Sequence, residues 1–216
     1  MAGKPNQRKP SAVLLDLGGV FLDWDPRYLY RKLFGDDVAG MEDFLANICT
    51  PAWHAEQDRG QSISEACAER RAKFPEHAEL IDAWGGRAEE MISGVIQGSV
   101  ELFAELKATG VPCYALSNME RENWERRIEI YDFLGWFDGY FISGLEGVIK
   151  PDPEYFQRAL ERLGLQPDEV VFIDDRPDNT AAAVALGIPA VVFTSPEALR
   201  GELVEWGLLP LDVPPA

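Results

Sequence analysis

Five short runs of the chain are apolar throughout and do not alternate: AVLLDL (12–17), VPCYALS (111–117), GYFIS (139–143), EVVFID (169–174) and IPAVVF (188–193). A strand covered on both faces has no polar side to show, so runs of this kind predict strands of a parallel sheet buried between helices. Helical stretches lie between the later four. Ser99 stands where it would cap a helix carrying Val100, Phe103 and Leu106, which stops at Gly110; Trp124, Ile128 and Tyr131 mark one apolar face of the next. In KPDPEYFQRALERLGL, Asp152 is placed as an N-cap, Pro153 as the first helical residue and Gly164 just past the end. Alternation of strand and helix predicts an α/β fold with a doubly wound parallel sheet.

The interval from Asp23 to Gln97 reads differently. It has helical periodicity and aromatic residues but no convincing strand, and Ser62 and Glu65 fall at capping-box spacing. The expected organisation is a discontinuous core, residues 1–22 and 98–216, with a helical cap, residues 23–97, inserted after the first strand.

Composition narrows the function classes. The chain has 216 residues, 46% hydrophobic, enough for a sizeable core. Its formal net charge of -17 opposes binding to nucleic acid or to an anionic membrane surface. Three cysteines, Cys49, Cys67 and Cys113, are far apart and lack CxxC spacing, which fits packing residues in a reducing cytoplasm and gives no zinc site. The opening MAGKPNQRKP reads as a loose basic tail, and no stretch approaches the ~18 apolar residues of a membrane span.

In an open parallel sheet, ligands bind beyond the carboxyl ends of the strands, so the residues at those ends carry the chemistry. The first strand ends at Asp16, the second at Ser117 and Asn118, and the fourth at Asp174 and Asp175; Lys150 follows the third. Singly, each has a plain reading as turn, cap or solvated surface. Together, three carboxylates, a hydroxyl and an ammonium at successive strand ends suit phosphoryl chemistry. Carboxylates and the substrate's phosphate would complete the shell of Mg²⁺, and one carboxylate could act as a covalent nucleophile.

These residues lie in segments that resemble the four motifs of the haloacid dehalogenase superfamily of Asp-nucleophile hydrolases: LLDLGGV, ALSN, GVIKPDPEYF and VFIDDRPDNTAAAVALG, in that order. The resemblance runs from Ala12 to Phe193. It implies a Rossmann-like core with a mobile helical cap, Asp16 as nucleophile, and Ser117, Asn118, Lys150 and Gly19 around the phosphate. It also implies Mg²⁺ held by Asp16, the Gly18 carbonyl and Asp175, with Asp174 close behind. The substrate expected is a small phosphorylated metabolite. Details of the first and fourth motifs resemble a branch that includes sugar-phosphate phosphatases and the phosphatase domain of soluble epoxide hydrolases.

One position departs from the commonest pattern, in which a second Asp two residues after the nucleophile serves as acid and base. Gly18 occupies it, so that proton transfer must come from elsewhere or be forgone. Two alternatives stay open, a 2-haloacid dehalogenase and a catalytically idle binding protein. The adjacent carboxylates at 174 and 175 disfavour the first, since they repel an anionic haloacid unless a cation lies between. In the cap, PAWHAEQDRG is the expected substrate-facing loop: His54 could donate a proton or bind a substrate hydroxyl, or could be a packing residue. Asp23 and Asp25 read as turn carboxylates or as flap residues near the site.

Overall fold

The structure, a computed structural model, describes residues 9–211; residues 1–8 of the expected tail lie outside the described residues. In chain order the elements are β1 (Ala12–Leu15), β2 (Leu22–Trp24), α1 (Pro26–Phe34), α2 (Val38–Asn47), α3 (Pro51–Asp58), α4 (Ile63–Lys73), α5 (Ala78–Gly86) and β3 (Ile92–Val95). There follow α6 (Gln97–Ala108), β4 (Cys113–Ser117), α7 (Arg121–Ile130), β5 (Gly139–Ile142), α8 (Ser143–Glu146), α9 (Pro153–Leu163), β6 (Val170–Asp174), α10 (Pro177–Ala185), β7 (Ala190–Val192) and α11 (Pro196–Glu205).

Five strands form a parallel sheet in the order β5-β4-β1-β6-β7. The chain leaves β1 in the centre, winds to one edge and then to the other, so β1, β4 and β6 end side by side. Every residue of β1 and β6 is buried, as unbroken apolar runs require. Two apolar layers cover the sheet. One includes Val13, Leu15, Phe103, Ile173 and Leu203; the other includes Leu14, Leu116, Phe156, Phe172 and Ile188.

A third apolar cluster, running from Leu29 to Met91 in sequence, lies wholly within the inserted segment, with Tyr30, Phe44, Trp53 and Trp84 among its members. Cys49, Cys67 and Cys113 are buried, free thiols, as expected of packing residues. Among the described residues no helix is long and apolar enough to cross a membrane.

Two expectations are corrected. The inserted segment is entered and left through an antiparallel ribbon, with Leu22 opposite Val95 and Trp24 opposite Ile92, where no strand was expected. β3 contains Ser93 and Gly94 and is half exposed, so it has neither an apolar run nor a clean alternation. Its pairing comes from a partner some seventy residues away. Ser99 is not a cap. α6 starts three residues earlier, with Ile96 at the N-cap position, because the Ile96 N–H is already held by the Phe21 carbonyl (2.8 Å). The other capping expectations agree: Ser62 accepts from the Glu65 N–H, Asp152 from the Glu154 N–H, and Gly164 ends α9 with φ of 66°.

α9 also supports the end of β4. The buried Tyr155 hydroxyl donates to the Ser117 carbonyl at 3.1 Å. Tyr155→Phe leaves that buried carbonyl short of a partner and is expected to cost about 1–3 kcal/mol. A urea unfolding midpoint equal to that of the unmodified protein would contradict this role.

Candidate active site

The ends of β1, β4 and β6 open into a cavity of about 320 Å³, walled on the far side by the inserted segment. Asp16, Gly18, Gly19, Asn118, Lys150 and Asp175 all line it. At its base is a buried ion cluster. The Lys150 ammonium, 1% exposed, lies 2.9 Å from Asp16 Oδ1 and 2.6 Å from Asp174 Oδ2. Asn118 fixes the loop that delivers Lys150: its Nδ2 donates to the Lys150 carbonyl (2.9 Å) and its Oδ1 accepts from the Lys150 N–H (2.8 Å).

Asp174 is fully buried and fully engaged. Beyond Lys150, it accepts from the Arg176 N–H (2.8 Å) and from Asn179 Nδ2 (2.9 and 3.0 Å). It therefore anchors the cation, while the exposed Asp175 beside it turns toward solvent and the cavity.

Burial raises Asp16 well above the ordinary carboxylate range; Lys150 opposes this and Asp174 adds to it. Burial also works against the charge on Lys150, but Asp16 and Asp174 outweigh it and keep the ammonium charged. Asp175, exposed on one side, is raised by its partial loss of water against the cavity and by Asp174. Carboxylate oxygens of Asp16, Asp174 and Asp175 lie within 4.8 Å of one another. One ammonium does not balance three such groups, and a divalent cation fits the excess negative charge and the all-oxygen donor set.

The sequence-assigned residues do not all behave alike. Ser117 is 1% exposed and does not line the cavity; its hydroxyl favours the charged form of Asp16. Gly19 lines the cavity but gives its N–H to the Leu22 carbonyl at 2.9 Å. Its φ is +68°, and a Cβ there would collide with the Asp175 carboxyl. Gly18 has no such constraint: among the described residues nothing comes within 4 Å of a Cβ built on it. Asp25 caps α1 by accepting from the Arg27 N–H, and Asp23 is bound by the Tyr28 and Ser93 hydroxyls, so both serve the ribbon and its first helix.

His54 reaches the cavity from α3 and bridges to the core, with Nε2 2.8 Å from Glu120 Oε1 and 3.7 Å from Asp58 Oδ1. Its ring stacks on Trp24 at 5.2 Å and meets Trp84 edge-on at 5.1 Å. Burial alone would lower the imidazole, but Asp58 and Glu120 outweigh it and raise it. Sequence reasoning missed Glu120, Asp58 and Arg127, which also line the cavity. The local cue for Asp58 is its i+4 spacing from His54 on one helix. Glu120 has none, because its partner is 66 residues away.

Comparisons with known proteins agree with this geometry. The profile of the haloacid dehalogenase-like hydrolases matches residues 10–187. The sesquiterpene phosphatase astK of Aspergillus oryzae is 26% identical over 201 residues, covering 89% of this chain and 94% of that protein. Flavin mononucleotide hydrolase 1 of Arabidopsis thaliana is 31% identical over 129 residues, 57% of this chain and 51% of that one. A haloacid dehalogenase family enzyme of Bacteroides thetaiotaomicron, solved as a magnesium complex, superposes with a TM-score of 0.68 at 21% identity, covering 87% of this chain and 95% of its own. With the profile spanning most of the sequence and the sheet ends arranged as described, the chain belongs to the haloacid dehalogenase-like hydrolase family.

Proposed function

We propose that the protein is a Mg²⁺-dependent phosphatase that cleaves small phosphate monoesters through an aspartyl-phosphate on Asp16. The observation that carries this reading is the cavity floor, where Asp16, the Lys150 ammonium, Asp175 and the Gly18 backbone meet at the ends of adjacent strands. The relatives' names support it, since the Aspergillus protein is called a phosphatase and the Arabidopsis protein a flavin mononucleotide hydrolase. The dehalogenase alternative is disfavoured because Asp174 and Asp175 add two carboxylates behind the nucleophile, which repel an anionic substrate unless a cation lies between; the phosphatase reading includes that cation and a metal-free dehalogenase does not.

Asp16, Asp175 and the Gly18 carbonyl would hold Mg²⁺, which when bound supplies positive charge to the phosphoryl oxygens and offsets the crowded carboxylates. An Asp16 carboxylate oxygen attacks phosphorus as the ester P–O bond breaks. Lys150, held between Asp16 and Asp174, keeps its ammonium fixed beside the transferring phosphoryl group; Asn118 fixes the loop behind it. Water then attacks phosphorus, the bond to Asp16 breaks, and phosphate leaves. Asp174 positions Lys150 and takes no direct part.

Asp16→Asn keeps the shape and removes the anionic nucleophile, so turnover of 4-nitrophenyl phosphate should fall by at least about 10³-fold with the fold intact. Specific activity above a few per cent of the unmodified enzyme would overturn the nucleophile assignment. Asp175→Asn should shift the Mg²⁺ titration of activity to concentrations at least about tenfold higher, while Asp168→Asn, outside the cavity, should not. Superimposable titrations of the two variants would contradict the assignment of Asp175 as a ligand.

A further inference from the structure

The reaction just described needs a proton for the departing alcohol oxygen, and the residue two beyond Asp16 is a glycine. The search for a replacement leads to the opposite wall. Asp58, at the end of α3, lines the same cavity as Asp16 yet is 7% exposed. Among the described residues its Oδ1 has no hydrogen-bond partner although it is buried. Such an atom costs stability unless something uses it. His54 Nε2 lies 3.7 Å from it, beyond hydrogen-bond reach, and that nitrogen is committed to Glu120 at 2.8 Å. Glu120 is held in turn by Asn123 Nδ2 at 2.9 Å.

Resting on the phosphatase reading, we propose that Asp58 is the general acid and base of this site, contributed by the inserted segment in place of the side chain that Gly18 lacks. His54 and Glu120 are positioning residues, coupling α3 to the turn after β4 so that Asp58 faces the leaving group only when segment and core are together. As the Asp16 oxygen–phosphorus bond forms and the ester P–O bond breaks, the Asp58 carboxyl proton passes to the leaving oxygen, giving the free alcohol and the Asp58 carboxylate. In the second half that carboxylate takes a proton from water as the water oxygen bonds to phosphorus. The bond to Asp16 breaks, inorganic phosphate leaves, and the Asp58 acid is restored.

The surroundings suit the role. Burial lifts the Asp58 carboxyl from the ordinary range to about 7; His54, Lys150 and Arg127 pull it down and Glu120 pushes it up. A general acid works best with its pKa near the working pH. The three side chains could be taken for a metal site, since their ligand atoms lie within 4.8 Å of one another. The buried Arg127 guanidinium beside them opposes a further cation there. Proton transfer needs no such charge.

Three variants and two esters of similar shape test this. 4-Nitrophenyl phosphate has a leaving group that departs without a proton; benzyl phosphate does not. Asp58→Asn should lower kcat/KM for benzyl phosphate by about 10²- to 10⁴-fold more than for 4-nitrophenyl phosphate, and abolish its alkaline limb near neutrality for benzyl phosphate. Slowed dephosphorylation should also produce a 4-nitrophenol burst of one equivalent per enzyme. Gly18→Asp in the Asp58→Asn background places a carboxylate in open space and should recover benzyl phosphate turnover at least tenfold. Equal losses on both esters, or no loss on either, would overturn the proposal while Asp16→Asn still tested the nucleophile. An unmodified enzyme inactive on every phosphate ester with Mg²⁺ would overturn both. His54→Gln should lower benzyl phosphate turnover with the same leaving-group dependence; a uniform loss there would remove the positioning role.

Discussion

Everything at this site depends on one buried ammonium. Lys150 is enclosed between Asp16 and Asp174 at 2.9 and 2.6 Å, and neither carboxylate would be tolerable at that depth without it. Removing one partner of such a group typically costs about 3–5 kcal/mol, because the others are left charged and dry. The surrounding structure is arranged to keep the three together. Asn118 clamps both backbone groups of Lys150, while Asn179 and the Arg176 N–H saturate Asp174. Tyr155 holds the strand end from which Asn118 projects.

The sheet order explains why these residues, far apart in sequence, share a few ångströms. With β1 central and β4 and β6 beside it, the residues following three strands face one crevice. The inserted segment has its own apolar cluster and touches the crevice through α3. Two environments are thereby set against each other: a floor with fixed charges for a phosphoryl group, and a wall with a buried carboxyl and a histidine braced by Trp24 and Trp84.

The floor was legible in the sequence because its signals are local. An unbroken apolar run ending in Asp16 or in Asp174 and Asp175 announces a buried strand and the polar group just past it. The wall was not legible to the same degree. Asp58 falls in the stretch expected to be a loop, which the structure instead makes helix α3 (Pro51–Asp58), and only its burial against Glu120, a residue of the core, gives it a role. The ribbon of β2 and β3 failed for a similar reason, since strands of three and four residues joined across the whole inserted segment carry no pattern of their own. Ser99 misled because a backbone bond from Ile96 to Phe21, invisible locally, sets where α6 begins. Gly18 and Gly19 look alike in sequence, yet Gly19 alone has the positive φ and the close approach to Asp175.

The central claim is that phosphorus becomes covalently bound to Asp16. Acid quenching during steady turnover of 4-nitrophenyl phosphate with Mg²⁺, followed by peptide mass spectrometry, tests it most directly. The account predicts a phosphoryl group on the peptide containing Asp16, absent when Mg²⁺ is chelated and absent in Asp16→Asn. A phosphoryl group on His54 or on any other residue, or full turnover with no phosphorylated peptide at any quench time in either the unmodified enzyme or Asp58→Asn, would contradict it.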